Sequence, residues 1–161
     1  MYWTHYWSQP CVNYMRSQGL EGRSITTSTG NRFTKDGVAA GDAIFVLSAT
    51  QKSLFLIGRM IVRGVMPYST YVQKYRPANL WRNKEVVVGS GTPSSFELRI
   101  PEWALANLKF SNKRGESPFF ADGKRMDAQG FRGLHRLHPD SAKLLNGLME
   151  AASQAPELLI D

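Results

Sequence analysis

The chain has 161 residues, 42% hydrophobic and 11% aromatic, with 20 Lys and Arg against 13 Asp and Glu for a formal charge of +7. That length suffices for one domain, read here over residues 1–161, with a hydrophobic core of its own, and no apolar run approaches the roughly 20 residues that span a bilayer. Cys11 is the lone cysteine, which excludes an internal disulfide and a cysteine-based zinc site.

In chain order, "YWTHYW" at residues 2–7 is rich in β-formers and predicts a first strand. The opening stretch lacks the basic and apolar regions of a secretory signal, so the expected location is the cytoplasm. Pro10 stands where a helix begins, with Ser8 available to cap it and Gly19 to end it. Residues 20–42, polar and glycine-rich, carry no helical period and predict a long loop closed by a Gly41-Asp42 turn. Two nearly continuous apolar runs, Ile44 to Leu47 and Leu54 to Val62, follow as a hairpin covered on both faces. Gly58 marks a bulge or a close backbone approach in its second strand, and Arg59 after it needs solvent, a carboxylate or a ligand.

Beyond the hairpin, Tyr68, Tyr71, Tyr75 and Trp81 interleave with Lys74, Arg76, Arg82 and Lys84. "VVVGSGTP" and "SFELRI" predict two further strands, and "PEWALANLKF" a short helix opened by Pro101. A basic, irregular stretch follows. Last comes an amphipathic helix with Leu144, Leu145, Leu148, Met149 and Ala152 on one face and Asp140 near its positive end. From Arg59 to Arg136 there are 14 basic and 6 acidic residues, against 6 and 7 elsewhere, so the whole cationic surplus lies in that stretch. A localised surplus attracts backbone phosphates. The pattern predicts an α+β protein built on a small β-barrel with a few flanking helices.

"YWTHYW", "TGNRFTKDGVAAGDAIFVL" and "LFLIGRMIV" resemble EVE-type domains of the PUA-like superfamily, in which a Tyr-Trp strand precedes a Gly-Asp turn into a barrel strand. "AQGFRGLHRLHPDSAKLL", within a closing segment at residues 126–152, is similar to the end of such bacterial proteins. The polar loop departs from the EVE-type pattern in having no tryptophan, which such pockets often keep there; Phe33 is the nearest substitute. The resemblance implies a PUA-like barrel that binds rather than catalyses, holding RNA, or a modified or flipped base, in a cleft at the barrel mouth.

The residues supply parts for such a cleft. A flipped base needs aromatic faces and polar groups at its edge, and phosphates need cations. Trp3, Trp7, Phe33 and Trp81 are the candidate stacking groups, and Ser28, Thr29 and Asn31 the candidate edge readers. Arg32, Lys35, Arg59, Arg82 and Arg132 are the candidate phosphate contacts. Each has a structural alternative. Trp3 and Trp7 share a strand face as core residues do, Asn31 after Gly30 suits a turn, and Arg59 suits an ion pair with a buried carboxylate such as Asp42. The three tyrosines have the spacing of a helix packed on the sheet.

Catalytic patterns are weak. His135 and His138 lack the glutamate of a zincin, Asp122 and Asp127 lack the other ligands of a calcium loop, and Cys11 with His5 lacks an orienting third group. No catalytic residue, metal or cofactor is assigned. The expected partner is nucleic acid, DNA in preference to RNA, with no membrane partner and the oligomeric state open. An RNA-binding PUA-like domain and a small metal-dependent nuclease are the alternatives.

Overall fold

The apolar run at residues 43–49 forms the centre of the molecule. The computed structural model describes residues 1–50, 53–111, 120–121, 125–126 and 128–154. The fold is α+β, with one six-stranded mixed sheet: β1 (Tyr2–Tyr6), β2 (Thr27–Gly30), β3 (Ala43–Ala49), β4 (Leu54–Pro67), β5 (Glu85–Gly91) and β8 (Leu134–Leu137), in the order β2-β5-β4-β3-β1-β8. β1 runs parallel to β3, and the other neighbours are antiparallel. A separate ladder joins β6 (Phe120–Ala121) to β7 (Arg125–Met126).

Every residue of β3 is buried, and successive residues serve different cores. Ile44 and Val46 join the cluster around Trp3 and Trp7, under helix α1 (Gln9–Ser17). Phe45, Leu47 and Ala49 join the cluster beneath α4 (Glu102–Ala106) and α5 (Pro139–Gln154). A strand covered on both faces has no reason to alternate, which is why the sequence reads as continuous. β4 changes phase midway: Leu56 belongs to the α5 core, whereas Met60 and Val62, of the same parity, belong to the α1 core. The switch is a bulge, since Leu47 pairs with Leu56 and Val46 with Gly58, leaving Ile57 as the extra residue. Beside it, Gly58 makes a close approach: a Cβ there would stand 2.7 Å from Ile25 Cδ1, so a larger residue needs that side chain to shift.

The helices follow their sequence signals. Ser8 caps α1 by accepting from Cys11 N, and Gly19 takes a positive φ of 77° just past its end. α3 (Tyr68–Tyr75) stands against β4 and β5, with the rings of Tyr71 and Tyr75 4.8 Å apart. α5 buries Ala142, Leu145 and Leu148, with Leu144, Met149 and Ala152 packed partly beside them. Among the described residues, no helix is long and apolar enough to cross a membrane.

Three expectations are corrected. The sheet does not close into a barrel: among the described residues its edge strands β2 and β8 do not pair. It curls instead, far enough for Ser28 on β2 to bond His5 and Trp7 on and beside β1. The long loop at 20–42 contains β2, paired with β5, and a four-residue helix, α2 (Phe33–Asp36). "SFELRI" buries Phe96, Leu98 and Ile100 in the predicted alternation but forms a single bridge, Arg99 to Phe55, rather than a strand. Asp122 and Asp127 lie outside the described residues, as do Lys113, Arg114 and Lys124.

Candidate functional site

The curl of the sheet leaves an open cavity of about 620 Å³ where four separated segments meet. The end of β1 and the start of α1 supply His5, Trp7, Gln9 and Cys11, and β2 supplies Thr29. The segment after α3 brings Trp81 and Asn83, and the turn before β8 brings Arg132. Its size lies within the usual range of small-ligand pockets.

The wall is built from hydrogen-bonded aromatic groups. Trp7 is 4% exposed, and its Nε1 donates to Ser28 Oγ at 2.9 Å. The same oxygen lies 2.9 Å from His5 Nδ1. An indole can only donate, so Ser28 accepts from Trp7 and keeps its second lone pair and its own hydrogen to meet His5 Nδ1. His5 Nε2 has no hydrogen-bond partner among the described residues, and the ring proton sits on Nε2 where Ser28 donates to Nδ1 and on Nδ1 where Ser28 accepts from it. Burial holds the imidazole neutral, with its pKa lowered from 6.5 to about 4. Phe33, 1% exposed, packs edge-on against His5 at 5.0 Å. Gly30 lets that ring approach, because a Cβ there would meet Phe33 at 2.8 Å.

Trp81, half-buried, packs against the core cluster that holds Trp7 and is tilted against Tyr14, ring centres 5.7 Å apart. Arg132 is exposed, and its carbonyl is tied to His135 Nε2 at 2.8 Å. Gln9 is oriented by donating to Ala49 O at 2.8 Å. The arrangement therefore offers one buried and one half-buried indole, an unspent imidazole nitrogen, a hydroxyl, an amide and a guanidinium. Such a set can hold a flat polar ring and a neighbouring anion.

Of the residues singled out in the sequence, Trp7, Thr29, Trp81 and Arg132 line this cavity, and Ser28 and Phe33 stand behind its wall. The rest are elsewhere. Trp3 is 4% exposed and donates from Nε1 to Asp42 Oδ2 at 2.9 Å, a structural role. Asp42 also accepts from Ala39 N and the Met1 ammonium, both at 3.0 Å. Burial pushes its carboxyl up, but these donors and the ammonium charge more than reverse this and leave it below its ordinary value. Asn31, Arg32 and Lys35 are exposed around α2 and do not line the cavity, Arg32 pairing with Asp36 at 3.1 Å. Arg82 lines an adjacent groove with Tyr68, Gln73 and Lys84, which shares Asn83 with the cavity. Arg59 lines a different cavity and bonds Asn146 rather than Asp42.

Sequence reasoning missed His5, Gln9 and Asn83 as cavity residues. Asn83 had a signal, two residues beyond Trp81 in the same polar segment. His5 with Cys11 makes no nucleophilic pair, because burial pushes the Cys11 thiol up to about 12, which removes the thiolate. His135 and His138 do not share a helical face: His135 lies on β8, and His138 accepts from Asp140 N at 3.1 Å as α5 begins. Among the described residues, no group of three or more His, Cys, Asp or Glu side chains is placed to hold a metal ion. No protein-family model matches the chain, and no curated protein matches it.

Proposed function

We propose that the chain is a non-catalytic nucleic-acid-binding module of EVE-type, PUA-like character, which takes a modified or flipped base of DNA into the cavity beside α1. The observation that carries this reading is the convergence of Trp7, Thr29, Trp81 and Arg132 from four segments on one open cavity. Stacking falls to Trp81, whose ring is half-buried, while Trp7 forms the fixed wall. His5 Nε2, the Thr29 hydroxyl and the Asn83 amide read the base edge. Arg132, with Arg82 and Lys84 in the adjoining groove, meets the backbone phosphates. The cationic surplus between Arg59 and Arg136 has the same sense, 14 basic against 6 acidic residues.

Fluorescence anisotropy with labelled DNA, modified and unmodified, tests the proposal. Binding should strengthen with the modification and persist at moderate salt, since the pocket term is not counterion release. Matched RNA as competitor separates the RNA-binding alternative, because only RNA presents a 2′-hydroxyl. Equal, weak binding to every nucleic acid, abolished by moderate salt, would overturn the base-pocket reading.

A further inference from the structure

Arg59 occupies a second cavity, of about 440 Å³, bounded by the Gly58 bulge of β4, residues 92–98 and the later turns of α5. Its wall is apolar, built by Leu56, Ile57, Leu98, Met149 and Ala152. Into this setting the bulge brings a half-buried guanidinium. Arg59 Nη1 donates to Asn146 Oδ1 at 2.5 Å, and no carboxylate pairs with Arg59 among the described residues. A guanidinium has five N–H donors and no acceptor, so one neutral partner leaves most of its capacity and all of its charge unmatched.

The neighbouring groups have the same sense. With its amide oxygen committed to Arg59, Asn146 has its NH2 group as a second donor. The Ser95 oxygen accepts from Glu97 N at 3.5 Å, which leaves its hydroxyl hydrogen as a third. Convergent donors around a charged fork against an apolar wall match a carboxylate head with an apolar body. Exposed Glu150 on the rim sets an upper limit on ligand charge, since a phosphate dianion would be repelled more strongly than a monocarboxylate. The geometry points to a binding site for a small amphipathic monocarboxylate, separate from the cavity beside α1 and independent of any nucleic-acid role.

The test titrates the full chain with decanoate, with decanol and decylamine as chain-matched controls, all below their aggregation concentrations. Side-chain ¹⁵N signals of Arg59 and Asn146 report the location. Decanoate should shift both saturably and bind at least tenfold tighter than either control. Arg59→Met should weaken decanoate at least tenfold and leave decanol unchanged. Asn146→Asp, at a half-exposed helix position, hands Arg59 an internal carboxylate and should weaken decanoate to the same degree; it decides the matter if Arg59→Met does not fold. Absence of saturable decanoate binding, equal binding of decanol, or full affinity in the folded variants would overturn the proposal.

Discussion

Replacing Ser28 with alanine removes one oxygen that two buried rings share. Trp7 Nε1 donates to it at 2.9 Å, and His5 Nδ1 meets it at 2.9 Å. Ser28, His5 and Trp7 are 3%, 7% and 4% exposed, so neither orphaned nitrogen has easy access to bulk water. Leaving a buried polar group without its partner costs about 1–3 kcal/mol, so two of them cost roughly 2–6 kcal/mol. The lower half of that range is expected, because both rings border the cavity and one water can take one of the two places. For a chain of this size the corresponding fall in Tm is about 5–10 °C. Urea unfolding at pH 7, followed through tryptophan fluorescence, should show a lower midpoint at unchanged slope. A second readout is the titration of His5 by NMR. Burial holds it at about 4 in the parent, and loss of the hydroxyl with entry of water should raise it. A stability loss below about 1 kcal/mol together with an unchanged His5 titration would refute the shared-hydroxyl network.

His5 also makes the parent chain acid-sensitive. Its folded pKa of about 4 lies below the ordinary 6.5, so the unfolded state takes up the proton first. Stability is complete above about pH 6.5 and falls by roughly 3 kcal/mol on the way to pH 4. Asp42, with its depressed pKa, adds a further loss only at lower pH, as its carboxyl protonates; a urea midpoint flat between pH 6.5 and 4.5 would contradict the His5 account. Trp81→Ala should weaken nucleic-acid binding by about 1–3 kcal/mol, the worth of one stacked base, while Tm changes little for a half-buried side chain; unchanged affinity in the anisotropy titration would remove Trp81 from the site. Gly91→Ala should prevent native folding, because a Cβ there would stand 2.0 Å from the Ile25 carbonyl oxygen; native-like near-UV circular dichroism in that variant would show that the chain at Ile25 yields.

The hairpin was legible from the apolar runs 44–47 and 54–62, but only β3 is buried on both faces: from Arg59 on β4 alternates, with Met60 and Val62 buried and Ile61 39% exposed. The helices α1 and α5 were legible from Ser8, Pro10 and Gly19, and from the stripe through Leu145 and Leu148. β2 was not, since "TSTG" has no apolar alternation and owes its strand form to pairing with β5. The same edge strand explains why Asn31, Arg32 and Lys35 do not join Thr29 at the cavity. They adjoin Ser28 and Thr29 in sequence, but after Gly30 the chain turns into α2 and carries them to the exposed side. Arg59 could not be placed from sequence, because the Ile57 bulge resets which face each later residue of β4 serves. The cavity itself depends on sheet curl, a property of the whole sheet that no short motif encodes.

The most direct measurement of the account is an anisotropy titration of the full chain and of Trp81→Ala against labelled duplex DNA with and without modified cytosine, with matched single strands and RNA, at low and moderate salt. The account predicts a modification-dependent gain that survives moderate salt and disappears in Trp81→Ala. Equal affinities for all probes, the same in both proteins and lost with salt, would contradict it and reduce the charge of +7 to a general surface property.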